Sequence, residues 1–219
     1  MADYLAINWE KTGLFGVEAH VSGASVSVKH SFHIEWPEQL TPDQDPISAG
    51  SWLKNEFARL NISAKKILIS FPRHDSTIRL LEIPDVPLEE VPEIVRFQAA
   101  TKSSVPLDQL LLDFLLLPKG PEKANRDVLV ASIAKELHNQ VMKTIQPMGL
   151  EIVSTGISSI ATAEWIAHTN PGNMAAPTLI VNQVDHHLEM SLVSNRELLF
   201  TNSSSLSSKD KNTTEQAIL

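Results

Sequence analysis

Residues 67–114, ILISFPRHDSTIRLLEIPDVPLEEVPEIVRFQAATKSSVPLDQLLLDF, constrain the fold more than any other part of the chain. The opening run ILISF is short and apolar, as expected for a strand buried on both faces. Residues 77–83 read as a second strand. Pro84 and Pro87 bracket a turn, and a helix is expected over 88–102 with Val91, Val95 and Gln98 at helical spacing. Glu89, Glu90 and Glu93 fall in its first turns, where the helix dipole favours negative charge. Pro92 is tolerable only near that end, because proline has no N–H for the helical ladder. Residues 109–117 and 127–133 then read as a strand pair joined by the charged loop KGPEKANR. Such mixed order belongs to an α/β protein, not to a sandwich or a bundle.

The flanking sequence extends this reading. Residues 4–9, 13–21 and 24–34 form three consecutive strands with connectors short enough for antiparallel hairpins. The second alternates around Phe15, Val17 and Ala19, and the third through Val26, Val28 and Phe32. After a polar loop at 40–44, Asp45 and Pro46 look like an N-cap and the first helical residue. Leu53, Phe57 and Leu60 mark that helix's buried stripe, which should end near Asn61. A further helix is expected over 134–148, with Leu137, Val141, Ile145 and Met148 on one face, an irregular last turn at Pro147 and a stop at Gly149. A strand at 150–153 and a helix at 158–168 follow. NPGNMAAP at 170–177 is the best candidate linker. Beyond it come strands at 178–182, 187–193 and 197–201, with a tight SNRE turn, and a polar tail that turns helical in character by Leu219. Three strands and a helical stub bury little core, so a second, incomplete unit is expected there.

Composition excludes several classes. The 219 residues are 42% hydrophobic and 20% charged, as in globular proteins, and the formal net charge of −8 argues against nucleic acid as the main partner. Residues 110–117 are the densest apolar run, far short of the roughly 20 residues that span a membrane. The start MADYLAINWEKTG does not have the pattern of a secretory signal. The absence of cysteine removes disulfides, thiolate nucleophiles and Cys-type zinc sites, and fits a cytoplasmic chain.

The segment SFPRHDSTIRLLEIPDVPLEEVPEIVRFQAATKSSVPLDQLLLDF, continued by VLVASIAKELHNQVMKTIQPMGLEIVSTGISSIA, resembles the PilM family of type IV pilus assembly proteins, and more broadly the actin-like proteins of pilus and type II secretion platforms. The likeness runs in order from about residue 4 to 219 and is most specific in the middle. It implies an actin-like (ribonuclease H-like) α/β core over residues 1–176, a small α/β subdomain inserted at about 85–149, and the incomplete start of a second lobe at 177–219. It also implies a cytoplasmic protein, peripheral at the inner membrane, that holds the cytoplasmic N-terminal tail of a single-pass platform protein. Self-association is left open.

In that family the first hairpin carries a D-I-G-T/S phosphate loop ending in lysine. Small residues let the backbone approach phosphate, and the acid helps to place a metal. Here Asn8 stands in place of the acid, Glu10 in place of the glycine and Phe15 in place of the lysine; Lys11 and Thr12 are the groups that could compensate. The second phosphate loop corresponds to Val181, Asn182, Gln183 and Val184, again without acid or glycine. These departures imply a scaffold with neither enzyme activity nor a cofactor; the alternative is an ATP-binding actin-like ATPase of the same machinery, with magnesium. A nuclease reading needs clustered carboxylates, whereas Asp113 and Asp185 read as a strand-end charge and a turn former. His30 and His33 should point to opposite faces, and His186 and His187 should diverge, so no metal site is expected. No G-x-S-x-G elbow occurs. Trp9, Trp36, Trp52 and Trp165 are expected in cores.

Overall fold

The computed structural model describes residues 2–117, 119, 124–169, 176–184, 186–194 and 197–206. Most of the expected linker, Asp185, the centre of the SNRE turn, half of the KGPEKANR loop and the tail from 207 lie outside the described residues.

Three strands, β1 (Ala2–Trp9), β2 (Gly13–Ser22) and β3 (Ser25–Glu35), form the expected antiparallel meander. The chain then enters α1 (Pro46–Arg59), where the Asp45 carboxylate accepts hydrogen bonds from the backbone N–H groups of Ile47 and Ser48. That cap satisfies donors the first helical turn would otherwise leave open. Asn61 turns the chain at φ 57, and β4 (Lys66–Phe71) lies parallel to β1. Ile67, Ile69 and Phe71 are buried while Leu68 and Ser70 are half-buried, so the second face of β4 is only partly covered.

A single 3₁₀ turn, Arg73–Asp75, leads into β5 (Ser76–Pro84). Next come α2 (Val91–Lys102), β6 (Leu110–Leu116), β7 (Asn125–Ala134) and α3 (Lys135–Ile145). The chain continues through β8 (Glu151–Ile157), α4 (Ser158–Thr169), β9 (Thr178–Val184), β10 (His187–Ser194) and β11 (Glu197–Ser205). Helix α2 begins at Val91, three residues later than the acidic pattern suggests, which puts Pro92 in its first turn, where a missing N–H costs nothing. The strands sort into three sheets: a five-stranded core sheet in the order β3-β2-β1-β4-β8, a three-stranded sheet β5-β7-β6, and a three-stranded sheet β11-β10-β9.

Two hydrophobic clusters follow this division. The larger gathers Leu5, Ile7, Leu14, Leu53, Phe57 and Ile69 with Val141 and Ile145 of α3. The smaller joins Leu81, Ile83, Val128 and Val130 of the inserted sheet to Val91 and Val95 of α2. Sheet membership therefore runs the insertion from Ser76 to Ala134, while α3, which the sequence reading placed inside it, packs on α1. Gly50 explains how closely: a Cβ there would lie 2.1 Å from the Thr144 carbonyl oxygen.

The inward phase of β2 is the reverse of the expected one. Leu14, Gly16 and Glu18 are buried, whereas Phe15 is 49% exposed and Val26 and Val28 of β3 are exposed as well. Gly16 leaves room for the Phe32 ring, which a Cβ would meet at 2.2 Å. Glu18 reaches inward as an acceptor, taking the backbone N–H groups of Ser63 and Ala64 and the Ser63 hydroxyl. Trp9 and Trp36 are buried as expected, but Trp165 is 63% exposed on α4.

Helix propensity alone favours Ala over Gly at an α1 position by about 1 kcal/mol. The Gly50–Thr144 approach predicts the opposite sign for Gly50→Ala: a loss of about 1–3 kcal/mol from overpacking. Thermal unfolding checks it, with Tm expected to fall by several degrees at roughly 2–4 °C per kcal/mol.

Candidate functional site

The first hairpin does not offer an open anion cradle. Asn8 sits at the end of β1 and donates its side-chain amide to the Glu10 carboxylate at 2.5 Å. Glu10 is buried, at 2% exposure. Its backbone N–H donates to the Gly13 carbonyl at 2.9 Å, and its carbonyl accepts the Trp36 indole N–H at 3.3 Å. The Thr12 carbonyl accepts the Trp36 backbone N–H at 2.9 Å. Gly13 serves strand packing, since a Cβ there would strike the Ile34 carbonyl oxygen. Only Lys11 and Thr12 are exposed at the tip, and Phe15 stacks on His33 with centroids 4.2 Å apart. A phosphate needs converging free N–H groups and no nearby anion; a buried carboxylate in the glycine position does not fit that requirement. Asn182 and Gln183 lie exposed on β9, in a different sheet, opposite Glu189 and Leu188.

His30 approaches Glu18 on one face of β3, and His33 takes the other against Phe15, so the two diverge as expected. Among the described residues no group of three His, Cys, Asp or Glu side chains could hold a metal. No helix there is long and apolar enough to cross a membrane.

A polar network lies where the three sheets meet. The backbone N–H of Arg73 donates to Glu189 Oε1 at 2.7 Å. Its guanidinium donates to the Ser76 carbonyl at 2.7 Å and to the Thr201 carbonyl at 3.3 Å. Ser158 at the start of α4 donates to Glu189 Oε2 at 3.2 Å. Burial lowers the Arg73 pKa, opposed by the Glu189 carboxylate. Beside it the rings of His74 and His187 stack at 3.8 Å and 4°.

A groove with two chambers lies alongside these elements. Its larger part, about 580 Å³, runs between the open face of the inserted sheet and α4 with β11. Leu80 of β5, Leu115 of β6 and Leu199 of β11 line it and are 59%, 61% and 55% exposed. A second chamber of about 330 Å³ adjoins it, sharing Asp113, Ala131 and Ile160, and is closed by Phe71, His138 and the end of β8. Gly156 opens into that chamber: nothing lies within 4 Å of a Cβ built on it. Contiguous exposed leucines in a concave site mark an interaction surface. Asp113, expected at a strand end, stands mid-strand in β6 and faces this groove.

No protein-family model matches the sequence, and no curated protein matches it. Solved structures do. The PilM–PilN type IV pilus biogenesis complex aligns at TM-score 0.81 with 20% identity over 94% of this chain. The fold is actin-like. The cytoplasmic domain of EpsL, an inner-membrane component of the type II secretion system of Vibrio cholerae, aligns at TM-score 0.62 with 10% identity, covering 93% of this chain and 71% of that one. A Bacteroides thetaiotaomicron protein of actin-like ATPase fold and unknown function aligns at 0.55 with 14% identity, over 99% and 76%. The chain spans 62% of the length of the chain it matches in that complex. Within this actin-like frame β5 to β7 form an insertion between β4 and α3, and β9 to β11 repeat the strand order of the β1 to β3 meander.

Arg73 belongs to the signature segment SFPRHDSTIR, where nothing in the sequence gives it a role, and Glu189 lies outside that segment. No sequence signal marks Glu189: the apolar phase of HLEMSLVS runs through Leu188, Met190 and Leu192, which puts Glu189 on the other face, and it is that other face the fold buries. Arg73→Ala should destabilise the chain by about 2–3 kcal/mol in chemical denaturation, because it removes two carbonyl partners and the guanidinium beside a buried carboxylate. Arg73→Lys recovers only part of this, since an ammonium does not reproduce the guanidinium fork.

Proposed function

We propose that this chain is a non-enzymatic scaffold of a type IV pilus or type II secretion inner-membrane platform. It works at the cytoplasmic face and holds the cytoplasmic tail of a single-pass partner in the groove between the core and the inserted sheet. The observation that carries this reading is the groove itself: exposed leucines from three strands of two sheets lining a recess of about 580 Å³. The structural likeness to a PilM–PilN complex supports a partner-binding role for the same architecture. An extended peptide would bury this apolar surface at about 25 cal/mol per Å².

The buried Glu10 carboxylate argues against nucleotide turnover, because its charge and side chain occupy the position where phosphate would approach backbone. The second reading, an ATP-binding actin-like ATPase of the same machinery, rests on Lys11 and Thr12, the exposed groups at the hairpin tip. Titration calorimetry with Mg-ATP separates the two. We expect no saturable heat; binding at micromolar concentration would favour the ATPase.

Gly156→Leu tests the groove. The position has room for a side chain and no left-handed φ, so the variant should fold while filling the inner chamber. Pull-down with N-terminal tails of candidate single-pass membrane partners should succeed with the unmodified chain and weaken at least about tenfold with the variant, the loss of about 1.4 kcal/mol. Tails that bind both forms equally, or neither, would contradict the reading.

A further inference from the structure

We propose that the groove selects a segment that is apolar at its centre and basic at its flanks. This rests on the peptide-holding role above and adds the chemistry of the occupant. Four carboxylates line the larger chamber: Asp113 of β6, Asp127 of β7, Glu164 of α4 and Glu197 of β11. They come from both walls, and no Lys, Arg or His lies among the described residues that line it. Asp113, Glu164 and Glu197 are exposed, and among the described residues no ion pair engages them. Asp113 takes only the neighbouring Phe114 N–H, at 2.8 Å.

The apolar floor and the acidic rim act on the same occupant. A segment that covers the leucines also displaces water from the carboxylates around them. Neutral flanks leave Asp113, Glu164 and Glu197 less hydrated and without a counter-charge, which opposes binding. Lysine or arginine flanks supply the counter-charge and bury the aliphatic stems of their side chains on the same surface. Acidic flanks add repulsion. Segments next to a membrane-spanning helix on its cytoplasmic side carry an excess of Lys and Arg, so the rim matches the charge of the tail that a platform partner presents.

The test uses fluorescence anisotropy with the full chain and three labelled peptides that share an Ile/Leu-rich centre and differ only in Lys, Gln or Glu flanks. Exposed charge pairs contribute about two- to fivefold each, so the Lys-flanked peptide should bind about tenfold or more tighter than the Glu-flanked one at low salt. The gap should shrink at about 0.5 M salt, where screening shortens the reach of charge to a few ångströms. It should also shrink in the Asp113→Asn, Glu164→Gln, Glu197→Gln triple variant, whose exposed amides leave the fold intact by circular dichroism. Equal binding of all three peptides, blocked by Gly156→Leu, overturns charge selection and leaves the groove reading standing. Binding that Gly156→Leu does not block, or no binding by any peptide, removes both. A concentration-dependent dimer in sedimentation that Gly156→Leu abolishes would make a second copy the occupant and overturn the proposal.

Discussion

Arg73 binds three sheets to one another, and the groove depends on it. It follows β4 of the core, its guanidinium holds the first carbonyl of β5 and a carbonyl of β11, and its backbone meets Glu189 of β10. Few side chains could do this. A guanidinium offers several N–H groups in a fixed plane, so a single residue can hold two carbonyls in different directions. Glu189, at 4% exposure, is tolerable there because Arg73 and Ser158 give both of its oxygens hydrogen bonds.

That junction has a consequence for the surface. By fixing β11 against the turn that begins the insertion, it sets Leu199 and Glu197 across from Leu80, Leu115 and Asp113. The insertion's own core packs α2 against one face of its sheet, leaving the other face open. A helix on that second face would close it; here α4 and β11 stand off instead, and a groove results. The hairpin that would hold phosphate in an actin-like ATPase is drawn inward by Glu10 and Trp36. The groove between sheets is thus a recessed and accessible surface, whereas the hairpin is not.

Much of the scaffold was legible in the sequence. The opening meander, the Asp45–Pro46 cap, the stripe of α3 and the strand pair before it all carry local signals that the fold obeys. What failed to show was long-range. The α3 stripe reveals an apolar face but not its partner, so the sequence alone places the helix with the insertion, whereas Gly50 of α1 receives it. The phase of β2 is the reverse of what its apolar residues suggest because two of its inward positions are a glycine that seats Phe32 and a glutamate that accepts loop N–H groups. Neither residue looks hydrophobic. Of the site, the degenerate hairpin was readable position by position, whereas the groove was not: its leucines and carboxylates come from five elements far apart in the chain.

Hydrogen–deuterium exchange with and without the cytoplasmic tail of a single-pass platform partner tests the central claim most directly, because it reports where the tail sits. Protection confined to the groove-lining strands β5, β6, β7, β8 and β11 and to α4, with the residue 10–13 hairpin unchanged on addition of Mg-ATP, is the result predicted here. Protection of that hairpin by nucleotide, or of a surface away from the groove by the tail, would contradict it.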